Sequence, residues 1–266
     1  MVITPKRTLS ASFYLLTLFA SQVAAFPAWE VNLSAHGDYA HIEGMAQTPR
    51  GGSPNTTDPS RPQLNEAGID DELYYDIGAG FSIYHFFLNF IYHHLQPEGH
   101  NMLKRSLLTH SQQLVAGQDF SLSFDYDWYQ VQMGNYFKVV KGLQLSPIVE
   151  GHWIHYHYGF ASYPFASARS FSMAATNLGL GLRFNIMESI LGELQATTSL
   201  PFSNLCVNRI NLVFNTDLQL HQHLVLRPEV AVGFFRIDYE DYQLITNHIQ
   251  YTAKPNIALG FTLTIV

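Results

Sequence analysis

The sequence predicts an all-β fold: one closed antiparallel transmembrane β-barrel of about ten strands, with short periplasmic turns and long extracellular loops. Three observations carry that expectation. Charged residues make up only 13% of the 266-residue chain, while 47% are hydrophobic and 14% aromatic; ordinary soluble domains are about 25% charged. Beyond the N-terminal segment no run of about 18 apolar residues occurs, which excludes helical spans. The rest of the chain alternates apolar and polar residues over long segments, as strands with two unlike faces do. Hydrocarbon requires every backbone polar group to be paired, so a closed barrel is the remaining way across.

At the N-terminus, Lys6 and Arg7 precede the apolar stretch Leu9 to Ala20, and the small residues Val23 and Ala25 follow. This is the layout of an export signal. Residues 1–25 are therefore expected to leave by cleavage between Ala25 and Phe26, with 26–266 forming the barrel domain. The apolar stretch is too short for a span of about 20 residues. The whole chain carries a formal charge of −7, and losing Lys6 and Arg7 makes it more acidic. That sign argues against a nucleic-acid partner. Cys206 is the chain's one cysteine, so no internal disulfide framework is expected; it is read as an incidental residue of an outer loop.

The first strand shows the pattern plainly. Trp29, Val31, Leu33, Ala35, Gly37 and Tyr39 alternate with Glu30, Asn32, Ser34, His36 and Asp38. Comparable apolar rows run from Leu143 to Trp153, Ile210 to Leu220, Leu224 to Phe234 and Ile257 to Ile265, and none of them holds a charge. A charge on a lipid face near the bilayer midplane costs roughly 2 to 4 kcal/mol, which accounts for that exclusion. A soluble lipocalin-like barrel would show Lys and Glu on its outer face, and its strands would be nearer 5 or 6 residues.

The ten expected strands lie at 28–41, 73–84, 86–96, 118–137, 143–155, 171–184, 190–197, 209–220, 224–235 and 249–266. Short turns are expected near His85, Lys138–Gly142, Asn185–Ser189 and His221–His223, and long loops at 42–72, 97–117, 156–170, 198–208 and 236–248. The stretch 46–70 is dense in Pro, Gly, Ser and Thr and reads as loop. Where Phe124, Tyr126 and Trp128 give way to Tyr129, Val131 and Met133, the apolar phase flips, and a β-bulge is expected.

Two stretches carry a resemblance. Thr48-Pro49, Gly51-Gly52-Ser53-Pro54, Arg61-Pro62, Glu66 and Gly68-Ile69, with Phe124-Asp125-Tyr126-Asp127-Trp128-Tyr129, are similar to a little-characterised group of proteobacterial outer-membrane β-barrel proteins. The resemblance implies a cell-envelope location in a Gram-negative outer membrane. It carries no activity.

Height along the strands groups Glu30, Arg183, Glu193, Asp217, Arg227 and Glu229 into an expected ionic cluster in the lower lumen, where each guanidinium offers donors to facing carboxylates. Such a cluster serves either as a structural plug or as the selectivity filter of a porin-like channel for small solutes. A third reading, a membrane hydrolase acting on lipid or peptide, rests on the i, i+2 pairs His152 with Glu150 and His36 with Asp38. No serine here stands in a nucleophile motif, so no catalytic residue is assigned. His155 and His157 share a face and have metal-ligand chemistry, but neither metal nor cofactor is assigned. Trp29, Trp128, Tyr129, Trp153 and Tyr156 are read as interfacial girdles. The expected protein is a monomer with a narrow or occluded lumen, since barrels of about 8 strands are filled by side chains. Its expected partners are outer-membrane lipid, lipopolysaccharide and the barrel-assembly machinery, and its expected role is structural or in surface interaction through the outer loops.

Overall fold

The computed structural model describes residues 29–47, 61–109, 112–187, 189–241 and 246–266. The expected cleavage point at Ala25 and Phe26 and the Thr48–Pro54 part of the first loop lie outside the described residues.

The chain begins with β1 (Trp29–Gln47), then a one-turn 3₁₀ helix at Leu64–Ala67, β2 (Asp71–Ile83) and β3 (Phe86–Leu95). Three short strands follow: β4 (Glu98–Met102), β5 (Leu107–Thr109) and β6 (Gln112–Leu114). Next come β7 (Asp119–Asn135), β8 (Phe137–Val140), β9 (Leu143–Ser162), β10 (Phe165–Asn185) and β11 (Leu191–Ser199). The chain ends with β12 (Leu205–Asn215), β13 (Leu218–His221), β14 (Leu224–Glu240) and β15 (His248–Ile265).

Pairing closes the sheet on itself. Neighbours run β1-β2-β3-β7-β9-β10-β11-β12-β14-β15, and β15 returns to β1 with Val31 opposite Ile265 and Tyr39 opposite Ile257. That ring has ten staves, every adjacent pair antiparallel. β4 prolongs the β3 stave along β7, β8 prolongs β7 along β9, and β13 prolongs β12 along β14. Closure removes the edges that an open sheet would expose.

Inside and outside have opposite chemistry, and the opposition reverses with height. In the half nearer the short turns, Leu33, Ile77, Phe90, Leu180, Ile210, Val230 and Leu259 are exposed on the outer wall. The alternate residues Asn32, Ser34, His36, Asp76, Gln132 and Glu150 are buried within. In the half nearer the long loops, Phe124, Tyr126, Tyr156, Tyr158, Phe160 and Tyr251 fill the interior as one apolar core. There the outer wall carries Asp125, Asp127, His155 and His157, none of them buried.

That reversal corrects the expected bulge. β7 pairs with β3 and β9 without a register slip, and Phe124, Tyr126, Trp128, Gln130 and Gln132 all point inward. The phase flip in the sequence is a change of surroundings, not of direction. A bulge does occur in β15, where Ala253 and Asn256 bracket Lys254 and Pro255 against both neighbouring strands. Proline has no N–H for the ladder, and a bulge is where a sheet tolerates it.

The same reversal corrects the loops. The expected loop at 156–170 is the top of a tall hairpin, with Phe165 opposite Ser162 and only Tyr163 and Pro164 between the strands. β14 and β15 likewise run on to Glu240 and from His248. Cys206 lies in β12, not in a loop, and its Sγ accepts from Asn208 Nδ2 at 3.3 Å. Trp128 and Tyr156 are 1% and 0% exposed, so they belong to the interior, not to a girdle.

Loop segments cap the core. Leu64, Ala67, Ile69, Leu103, Leu107 and Leu114 join it from above. Arg105 ties the cap together by binding the Glu66 carboxylate and donating to the Arg61 carbonyl at 3.0 Å. Arg61 in turn donates to Thr246 Oγ1 at 3.1 Å.

Candidate functional site in the barrel lumen

The lumen is built by inward residues of successive staves, and it is filled in tiers. Nearest the short turns, Arg183 on β10 donates from Nε to Glu193 Oε2 on β11 at 2.9 Å. Its Nη2 donates to the Tyr136 hydroxyl at 2.8 Å, and its guanidinium lies 3.9 Å from the centre of the Tyr136 ring. Gln195 Nε2 donates to Glu193 Oε1 at 2.7 Å. On the other side Arg227 on β14 donates to Asp217 Oδ1 at 2.6 Å and to Thr264 Oγ1 at 3.0 Å. Glu30 on β1 stands within electrostatic reach of Arg227, Arg183 and Asp217.

Five of the six residues expected in the ionic cluster thus share this tier, as two separate Arg–carboxylate pairs with Glu30 within electrostatic reach of both arginines. Glu229 does not join them. Its Oε2 lies 2.9 Å from His36 Nε2, one tier higher. Gly260 makes room for that imidazole: a Cβ there would stand 2.0 Å from His36 Cδ2.

Glu150 on β9 organises the middle tier. Its Oε1 accepts from Gln130 Nε2 and Gln132 Nε2, each at 2.9 Å, and its Oε2 accepts from Thr197 at 2.8 Å. His152 Nε2 lies 3.2 Å away and Arg209 Nη2 3.9 Å away. The Trp128 indole donates to His152 Nδ1 at 3.0 Å, so the imidazole proton belongs on Nε2, facing Glu150. Nδ1 of that ring accepts from Trp128 and Nε2 faces the Glu150 carboxylate, so among the described residues both nitrogens are turned to groups other than a serine or threonine nucleophile. Nearby, His93 Nδ1 lies 2.7 Å from Asp76 Oδ1, and Asn256 Nδ2 donates to Asp38 Oδ1 at 3.0 Å. His36 therefore faces Glu229, not its sequence neighbour Asp38.

Above this tier the interior turns aromatic. His93 stacks on Trp128 with centroids 4.2 Å apart, Trp128 meets Phe235 at 5.6 Å, and Tyr126 meets Tyr156 at 4.9 Å. Ring pairs at such separations add roughly 0.5 to 1.5 kcal/mol beyond their burial.

Sequence reading found the charged members of the lowest tier because height follows from distance to a turn. It missed Arg209, Asp76, His93 and the glutamines, whose partners sit on other staves. His155 and His157 lie on the outer wall, each with Nδ1 against a serine hydroxyl of β10, Ser172 at 3.1 Å and Ser170 at 2.6 Å.

A scan against protein-family models and a search of curated proteins return no match. Among solved structures, the outer membrane protease OmpT from Escherichia coli aligns at TM-score 0.44 and 7% identity, over 92% of this chain and 99% of that one. The attachment invasion locus protein Ail of Yersinia pestis aligns at TM-score 0.36 and 11% identity, over 90% of this chain and 100% of that one. A Pseudomonas aeruginosa FadL homologue aligns at TM-score 0.35 and 10% identity, over 90% of each chain. Scores this low carry no argument about activity.

Proposed function

We propose that this chain is an integral outer-membrane barrel with an occluded lumen, acting as a rigid mount that presents its long-loop end to the cell exterior. The band of exposed Leu, Ile, Val and Phe on the half nearer the short turns supports a bilayer around that half. The polar outer wall of the other half supports its standing clear of hydrocarbon. Short turns then face the periplasm, and the capped, apolar-cored tower faces outward. The export signal read at residues 1–25 fits the same placement.

One observation carries the closed reading. Buried side chains fill the lumen at each level, paired charges below, Glu150 and its donors in the middle, and an aromatic cluster above that includes Trp128 with Phe235 and Tyr126 edge-on to Tyr156. Moving water or solute along the axis would require unpairing buried charges, each costing several kcal/mol.

Reconstitution in planar bilayers tests it. The expected record shows no stepwise conductance from the folded protein at physiological salt. Regular conductance steps, together with swelling of proteoliposomes in small sugars, would establish a channel instead.

A further inference from the structure

The outer wall just above the apolar band brings together side chains that the lumen does not use. Tyr92, Tyr129 and Trp153 form one cross-strand row on β3, β7 and β9. In the next row His94 is opposite Asp127, and Asp127 is opposite His155. One step further up, Asp125 is opposite His157. Imidazoles and carboxylates therefore alternate across three neighbouring strands at the level where the wall turns from apolar to polar.

We propose that His94, Asp125 and Asp127 form a binding site for a borderline divalent cation of the Zn²⁺ type on the outer wall of the barrel. His94 Nδ1 lies 2.9 Å from Asp127 Oδ1 and 3.5 Å from Asp125 Oδ1. Donors each about 2.0 to 2.2 Å from one ion stand about 3 to 3.5 Å from one another, and the His94–Asp127 hydrogen bond and the His94–Asp125 separation already have about that length. One donor atom from each residue lies within 4.8 Å of the others.

Two independent features point to a ligand. Asp125, 39% exposed as a side chain, turns its Oδ1 out of solvent contact and toward His94 Nδ1, 3.5 Å away and beyond good hydrogen-bond geometry, while Gln96 Nε2 holds the other oxygen at 3.1 Å. A carboxylate oxygen out of water is better satisfied by a cation than by a contact of that length. The second feature is the surrounding order. The Tyr92 hydroxyl donates to Asp127 Oδ1, and Nδ1 of His155 and of His157 each lies against a serine hydroxyl, which holds both rings in place on the neighbouring strand. Such supporting contacts orient metal ligands. An imidazole with two carboxylates suits Zn²⁺, Ni²⁺ or Cu²⁺ better than Mg²⁺ or Ca²⁺, which prefer oxygen alone. The site opens on the outside, so it fills whether or not the lumen conducts.

The test is calorimetric titration of ZnCl2 into the untagged, chelator-stripped barrel in detergent, with Cys206→Ser as background to remove the thiol. We expect one saturable equivalent that survives millimolar Mg²⁺. His94→Ala and the near-isosteric Asp125→Asn should each weaken it by at least about tenfold. His155→Ala should weaken it less. His221→Ala with His223→Ala removes the other close imidazole pair, at the short-turn end, and should leave it unchanged. Retained heat-modifiable gel migration shows that each variant is folded. Absence of saturable Zn²⁺ binding overturns the proposal, as does full binding in folded His94→Ala or loss of binding only in the His221/His223 variant.

Discussion

Glu150 shows what a single lumen residue holds together. Four staves reach it: β7 through Gln130 and Gln132, β9 through His152, β11 through Thr197 and β12 through Arg209. Glu150→Ala removes the carboxylate that faces Arg209 and the shared acceptor of several buried donors, and removing one partner of a buried ion pair costs about 3 to 5 kcal/mol. Urea unfolding in lipid vesicles should register a loss of that order, with Glu150→Gln losing less because it keeps an acceptor. At the loop end, burial opposes the charge on Asp238, but hydrogen bonds from His248 and Arg236 outweigh it and hold its carboxyl at about 2, below the usual 3.8. A carboxyl depressed by folding contributes stability that is full above its unfolded value and is lost as pH falls through its folded one. Amide protection factors at the top of β14 and β15, corrected for intrinsic exchange, should therefore fall between about pH 4 and pH 2 in the native protein, and Asp238→Asn should abolish that pH step. The sequence hinted at Glu150 with His152 but not at contacts between distant strands: His36 and Glu229 are 193 residues apart and meet only once register and closure are fixed.

At the scale of the strand, period-two alternation revealed all ten staves, since each shows unlike faces to the lumen and to the outside. The boundaries failed at the top for the same reason. Above the apolar band the interior becomes aromatic and the exterior polar, so the pattern inverts and strands such as the upper parts of β9 and β10 read as loop. Adjacent residues of β7 separate the two explanations of its phase flip. Trp128 is 1% exposed inside, whereas Tyr129 is 51% exposed outside. Trp128→Ala should cost about 3 to 5 kcal/mol by leaving a cavity, and Tyr129→Ala much less. The same unfolding titration checks the pair; equal costs, or the larger cost at Tyr129, would restore the bulge.

Taken whole, the molecule is two solvents' worth of protein in one sheet: a barrel with polar interior in its lower half and apolar interior in its upper half. In the proposed placement the lower half is stabilised by internal polar pairing with lipid outside, the upper by hydrophobic burial with water outside. Composition foretold the first half, through scarce charge and abundant aromatics. It hid the second, because the same aromatic residues serve as girdle outside and as core inside, and only the inward direction of Tyr126, Trp128 and Tyr156 tells them apart. The central claim is which face of a strand meets acyl chains. Nitroxide labels placed singly at Ile257, Ala258 and Leu259, in a Cys206→Ser barrel in lipid, measure this through collision with oxygen and with a water-soluble nickel chelate. Ile257 and Leu259 are 43% and 63% exposed and Ala258 is 1% exposed. The predicted result is strong oxygen and weak nickel contact at 257 and 259, with little of either at 258. Strong nickel contact at 257 and 259, or oxygen contact greatest at 258, would contradict the account.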